Sequence, residues 1–63
     1  MATIEIMRLP AVMAATGLRK SAIYHAAQRG AFPKPFKLLG RASGWRSDEI
    51  QAWLESRERF DAA

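Results

Sequence analysis

Residues 10–30 read PAVMAATGLRKSAIYHAAQRG, and this stretch decides the fold. Pro10 suits the start of a helix, because its fixed φ and missing N–H cost nothing there. Ala11 to Thr16 is short and Ala-rich, with Val12 as its main apolar anchor. Gly17 ends that helix as a left-handed residue. A second helix runs roughly from Lys20 to Arg29, where Ile23, Ala26 and Ala27 fall at i, i+3, i+4 and form one apolar face. Arg29 complements the dipole in the last turn, and Gly30 terminates the helix. Two short helices joined by a tight glycine turn form the skeleton of a helix-turn-helix. Val12, Leu18, Ile23 and Ala26 stand where two crossed helices need apolar contacts.

Outward from this core, residues 3–9 alternate loosely between apolar and polar, which predicts a short strand or extended arm with Ile4 and Ile6 facing a core. Ala31 to Phe36 must be extended, since Pro33 and Pro35 forbid helix and restrict Phe32 and Lys34. Lys37-Leu38-Leu39 and Trp45-Arg46 flank Gly40 to Gly44, which predicts a β-hairpin with a five-residue tip. Ser47 is expected to cap a third helix, with Asp48 and Glu49 in its first turn. That helix is expected to run from Asp48 to about Arg59 and to pack through Ile50, Trp53 and Leu54, with Phe60 extending the face. Trp45, Trp53, Phe32 and Phe36 are expected in the core. The fold class is therefore mainly α with a small β-hairpin: three helices, arranged as one winged helix-turn-helix domain over residues 1–63.

The size and charge of the chain narrow its function. Sixty-three residues make one thin-cored domain with little room for a substrate pocket of about 300 Å³ or more. There is no cysteine and only one histidine, His25, so thiolate catalysis, Cys-ligated zinc and disulfide staples are excluded. No Gly-rich phosphate loop or paired-carboxylate cleft is visible either, and an enzyme is not expected. Neither a cofactor nor a metal site is expected. A reducing, cytoplasmic setting is expected for so small a chain without cysteine. No run of about 18 apolar residues or signal-peptide pattern occurs, so no membrane partner is expected.

The net charge of +4 is unevenly placed. Residues 1–46 carry +7, with eight Lys and Arg against Glu5 alone, and residues 47–63 carry −3. A cationic body joined to an acidic helix points to a polyanion on one side. If the second helix enters a major groove, Arg19, Lys20, Ser21, Tyr24, His25 and Gln28 occupy its outer side or N-terminus. These are groove-reading types: Arg and Lys bond guanine, Gln bonds adenine, and Ser bonds either. Lys34, Lys37, Arg41 and Arg46, on the proline loop and hairpin, are the candidates for phosphate or wing contacts. Tyr24 has two readings, a phosphate contact or a ring half-buried over the hairpin. Arg8 also has two: a DNA-backbone contact or an ion pair with an acid on the last helix.

Several stretches together resemble the AlpA-type phage and prophage regulators, relatives of excisionases and of MerR-like DNA-binding domains. They are Arg8-Leu9-Pro10, Thr16-Gly17-Leu18, Ser21-Ala22-Ile23-Tyr24, Gly30 to Pro35, Gly40-Arg41 with Trp45, and Glu49-Ile50 with Trp53-Leu54. They cover roughly residues 7–57 in order. The resemblance implies a MerR/excisionase-like winged helix-turn-helix that binds double-stranded DNA, with a recognition helix at about 20–29 and a wing at about 37–46. Relatives commonly place Ser where this chain has Arg19, so Ser21 is the expected substitute cap after a shift in the helix start. Candidate protein partners are RNA polymerase, for a transcriptional regulator, or an integrase, for an excisionase-like recombination directionality factor. A reading of another class is a protein-interaction module docking through Glu55, Glu58 and Asp61. The third helix is followed by no heptad run, so a monomer in solution is expected, lining up cooperatively on DNA through repeated sites.

Overall fold

The computed structural model of the chain describes residues 3–59. In chain order its elements are β1 (Ile6–Met7), α1 (Leu9–Thr16), α2 (Lys20–Gln28), β2 (Phe36–Leu39), β3 (Ala42–Arg46) and α3 (Ser47–Glu55). The three strands form an antiparallel sheet in the order β1-β3-β2. Three helices on a small sheet with a β2–β3 wing form the winged helix-turn-helix that the sequence predicts.

The helix pair forms for the local reasons the sequence carries. Gly17 has φ 74° and donates its N–H to the Met13 carbonyl at 2.8 Å, closing α1 with a left-handed residue. Thr16 secures the same bend. Its hydroxyl donates to the Val12 carbonyl at 2.8 Å and accepts the Leu18 N–H at 3.2 Å. The other end of α2 closes as a Schellman motif, with Ala31 N–H on the Ala26 carbonyl at 2.8 Å and Gly30 N–H on the Ala27 carbonyl at 3.2 Å. Val12, Ile23, Ala27, Phe32, Trp45 and Ile50 form the buried core, drawn from both helices of the pair, the proline loop, β3 and α3.

The wing is tighter than the sequence suggests. The turn is only Gly40-Arg41, with Leu39 opposite Ala42, so Ala42, Ser43 and Gly44 belong to β3 and not to the tip. The reason lies at Gly44. A Cβ there would meet Ile6 Cγ2 at 2.5 Å and the Met7 carbonyl oxygen at 3.2 Å. Gly44 is therefore a close-approach residue inside a strand. A bulge between Lys37 and Leu39 places one extra residue in β2.

The start and end of α3 also differ from expectation. Ser47 is its first residue and does not cap it; Arg46 holds the cap position without a side-chain bond. The Ser47 hydroxyl accepts the Glu5 N–H at 2.8 Å, and the Ser47 N–H donates to the Glu5 carbonyl at 2.8 Å. The N-terminal arm has taken the hydroxyl that a cap would use. The helix stops at Glu55, short of Arg59, so Leu54 lies in the last turn and is exposed. Ile50 is buried as predicted, while Trp53 is half-buried. Phe36 is exposed as well, because β2 is an outer strand and Phe36 points to its open side. Ile4 and Ile6, expected to face a core, are exposed on the same open side. Phe60 lies outside the described residues.

These contacts separate two kinds of glycine. Gly17→Ala meets no atom within 4 Å and is expected to cost about 1–2 kcal/mol from backbone conformation alone. Gly44→Ala must displace Ile6 and press on the β1 backbone, and is expected to cost about 1–3 kcal/mol through overpacking. Urea unfolding of the two variants checks both values.

Candidate nucleic-acid interface

The N-terminus of α2 is bare. Arg19 occupies its cap position in extended conformation with no side-chain bond, and no acid lies in the first turn. Ser21 does not supply the cap, since the helix starts at Lys20 and leaves Ser21 within the first turn. The first N–H groups of α2 and the positive end of its dipole therefore lie beside Arg19 and Lys20.

Along the helix, Ile23 and Ala27 turn into the core while Lys20, Ser21, His25 and Gln28 remain exposed. Among the described residues, no side-chain hydrogen bond or ion pair engages Arg19, Lys20, Ser21, His25, Gln28, Lys34, Lys37 or Arg41. Tyr24 is half-buried, with its ring centroid 5.9 Å from that of Trp45 at an interplanar angle of 52°. Its ring thus lies half-buried over the hairpin.

Across from α2 runs the proline loop. The Trp45 indole donates to the Pro33 carbonyl at 2.8 Å, and the Trp53 indole donates to the Ala31 carbonyl at 2.8 Å. Phe32 is buried between them and meets Trp53 edge-on, with centroids 4.7 Å apart. So held, the loop and α2 flank an open cleft of about 440 Å³, more room than the size of the chain suggests, lined by Tyr24, Ala27, Gln28, Lys34 and Pro35. The cleft brings together Tyr24, Gln28 and Lys34, three of the residues singled out from the sequence. Lys37 and Arg41 stand elsewhere, on β2 and at the hairpin turn, both exposed. Pro35 and Ala27 also line the cleft, though in the sequence they read only as a backbone constraint and a core contact.

Three arginines are already committed. The Arg8 Nε–H donates to the Ser43 carbonyl at 2.9 Å, tying the start of α1 to β3 in place of an ion pair with an acid of the last helix. Arg46 forms a two-bond ion pair with Asp48, at 3.1 and 2.8 Å. The hydrogen bond from Arg46 holds the Asp48 carboxyl below its ordinary value, and the same bond and charge hold the Arg46 guanidinium above its own. Arg57 lies 4.4 Å over the Trp53 ring. Of the four hairpin and loop cations, Arg46 thus differs from Lys34, Lys37 and Arg41 in having an intramolecular partner.

The fold and this surface define a small winged helix-turn-helix with an open helix face and a cleft beside it. The comparisons with known proteins agree on a family. The family model described as prophage CP4-57 regulatory protein (AlpA) matches residues 5–58, and the chain belongs to this AlpA family. It is 37% identical over 53 residues to the uncharacterized protein ORF88 of Enterobacteria phage P4, covering 84% of this chain and 60% of that protein. The chain thus spans less than two thirds of ORF88. It is also 35% identical over 60 residues to the DNA-binding transcriptional activator AlpA of Escherichia coli K12, covering 86% of each. No solved structure matches it significantly. Among the described residues, no helix is long and apolar enough to cross a membrane.

The ion pair on the wing predicts a titration. In Arg46→Met the Asp48 carboxyl should lose both hydrogen bonds and the neighbouring charge, and titrate at higher pH than in the parent. Asp48 is depressed in the folded chain, so its contribution is present above the unfolded value and is lost as pH falls through the folded one. Carboxyl-carbon NMR titration of the two proteins below about pH 5 checks the direction.

Proposed function

We propose that this protein is a sequence-specific double-stranded-DNA-binding transcriptional regulator acting without catalysis. The observation that carries the reading is the uncommitted exposed face of α2, with Lys34 set across the cleft from it. The related activator supports it, being itself named as DNA-binding. In this reading α2 enters the major groove, where Lys20, Ser21, His25 and Gln28 reach base edges. Tyr24, half-buried on Trp45, forms the wall of the cleft that the strand lies against. Arg19 and the bare first turn of α2 meet a phosphate, as helix N-termini do. Lys34 meets a phosphate from the loop side, and Lys37 and Arg41 follow the backbone along the wing. Arg46 neutralises Asp48 and contributes less than the other three. The acidic α3 faces away from the DNA.

Selection of bound duplexes from random DNA, followed by mobility-shift titration over salt, tests the reading. Lys20→Ala and Gln28→Ala should relax base preference by about 1–3 kcal/mol at the positions they read. Lys34→Ala and Arg41→Ala should weaken all sequences similarly and reduce the salt slope by about one each. Binding indifferent to salt, or absent at low salt, overturns the proposal.

A further inference from the structure

The sheet has two faces, and among the described residues only one is covered. Met7 and Trp45 point inward to the helices. On the other face Phe36 lies opposite Gly44, and the Ile6 and Leu38 side chains close over Gly44 from either side. The Glu5–Ser47 pairing continues the β1–β3 ladder, so Ile4 falls on the same side as Ile6. Simple alternation from Phe36 would send Leu39 to the inner face. The bulge shifts the register by one and sets Leu39 opposite Ala42, on the outer face. Five aliphatic or aromatic side chains thus share one side, each between 40% and 85% exposed.

We propose that this outer sheet face is the dimer interface of the protein and that its occupant is the same face of a second copy. Two features favour a like partner. The first is area. Five large side chains at these exposures leave on the order of 500 Å² of apolar surface on one copy. Two copies face to face bury on the order of 1,000 Å², the lower limit for a specific interface. The second is charge. The cations on this face are Arg46, which Asp48 neutralises, and, by the alternation that places Ile4 beside Ile6, Arg8, whose Nε–H is held on the Ser43 carbonyl. A face whose one unneutralised cation is tied to a backbone carbonyl offers little handle to an acidic or basic partner. It is, however, where two chains of +4 can meet with least repulsion. A patch that pairs with itself about a two-fold axis closes at two subunits. Because α2 packs on the covered side, the pair keeps both α2 helices accessible.

Sedimentation equilibrium of the full chain, from about 10 μM to about 1 mM at low and high salt, tests the proposal. A monomer–dimer equilibrium is expected, and the dimer should strengthen with salt, the opposite of the trend expected for DNA binding. Leu39→Lys and Phe36→Lys should each weaken the dimer roughly tenfold or more. Leu54→Lys adds the same charge to an exposed leucine on α3 and should leave the dimer unchanged. Leu39 makes so little contact with its own chain that its variant should keep the parent circular-dichroism melt, and it decides the matter if Phe36→Lys unfolds. A monomer at every concentration, a dimer indifferent to Leu39→Lys, or an assembly larger than two overturns the proposal.

Discussion

Two indole N–H groups hold the segment on which the cleft depends. Trp45 and Trp53 come from different elements, yet each donates a 2.8 Å bond to a carbonyl of the proline loop. A loop with prolines at 33 and 35 has lost two of its own donors and cannot join a ladder. Its carbonyls still need partners as they approach the core. The indoles satisfy two of them and place the Phe32 ring in the interior. With the loop fixed this way, Lys34 and Pro35 stand against Tyr24, Ala27 and Gln28. The aromatic core is therefore also the positioning device of the surface.

The basic residues divide by what lies near them. Arg8, Arg46 and Arg57 reach a carbonyl, a carboxylate and an indole face, which are fixed acceptors within their own fold. Guanidinium suits such targets because its donors are planar and preset. The lysines at 20, 34 and 37 have no such neighbour among the described residues and keep their charge in solvent. A sequence-level count of +7 over residues 1–46 mixes the two groups. The structure separates charge that holds the domain together from charge that is free to meet a polyanion.

Much of this architecture was legible because short-range rules dominate in so small a chain. Gly17 and Gly30 marked the helix ends, Ile23 and Ala27 marked the buried face of α2, and Pro33 and Pro35 marked the loop. The errors cluster where a local rule met a distant partner. Ser47 looks like a cap until Glu5 claims its hydroxyl. Gly44 looks like a turn residue until β1 is seen lying against it. Phe36 and Leu54 look like core until it is known which side of the sheet is covered and where α3 stops. At the candidate surface, residue type and helical spacing identified the exposed side of α2. They did not show that Tyr24 leans on Trp45, or that Lys34 shares a cleft with Gln28, since both facts need the loop to be folded back.

The pairing of Glu5 with Ser47 spans 42 residues and joins the first strand to the last helix. A chain made from its N-terminus produces the first of these partners well before the second. At about 5–20 residues per second, Glu5 waits roughly 2–8 s for Ser47 to be synthesised. Through that interval the arm has no β3 to pair with, and Ile4 and Ile6 have no sheet to lie on. The helix pair α1–α2 waits as well, since Trp45 and Ile50 supply the far side of its core. The arrival of β3 and α3 thus completes the sheet and the core in one step, and the first residues made are among the last to be paired.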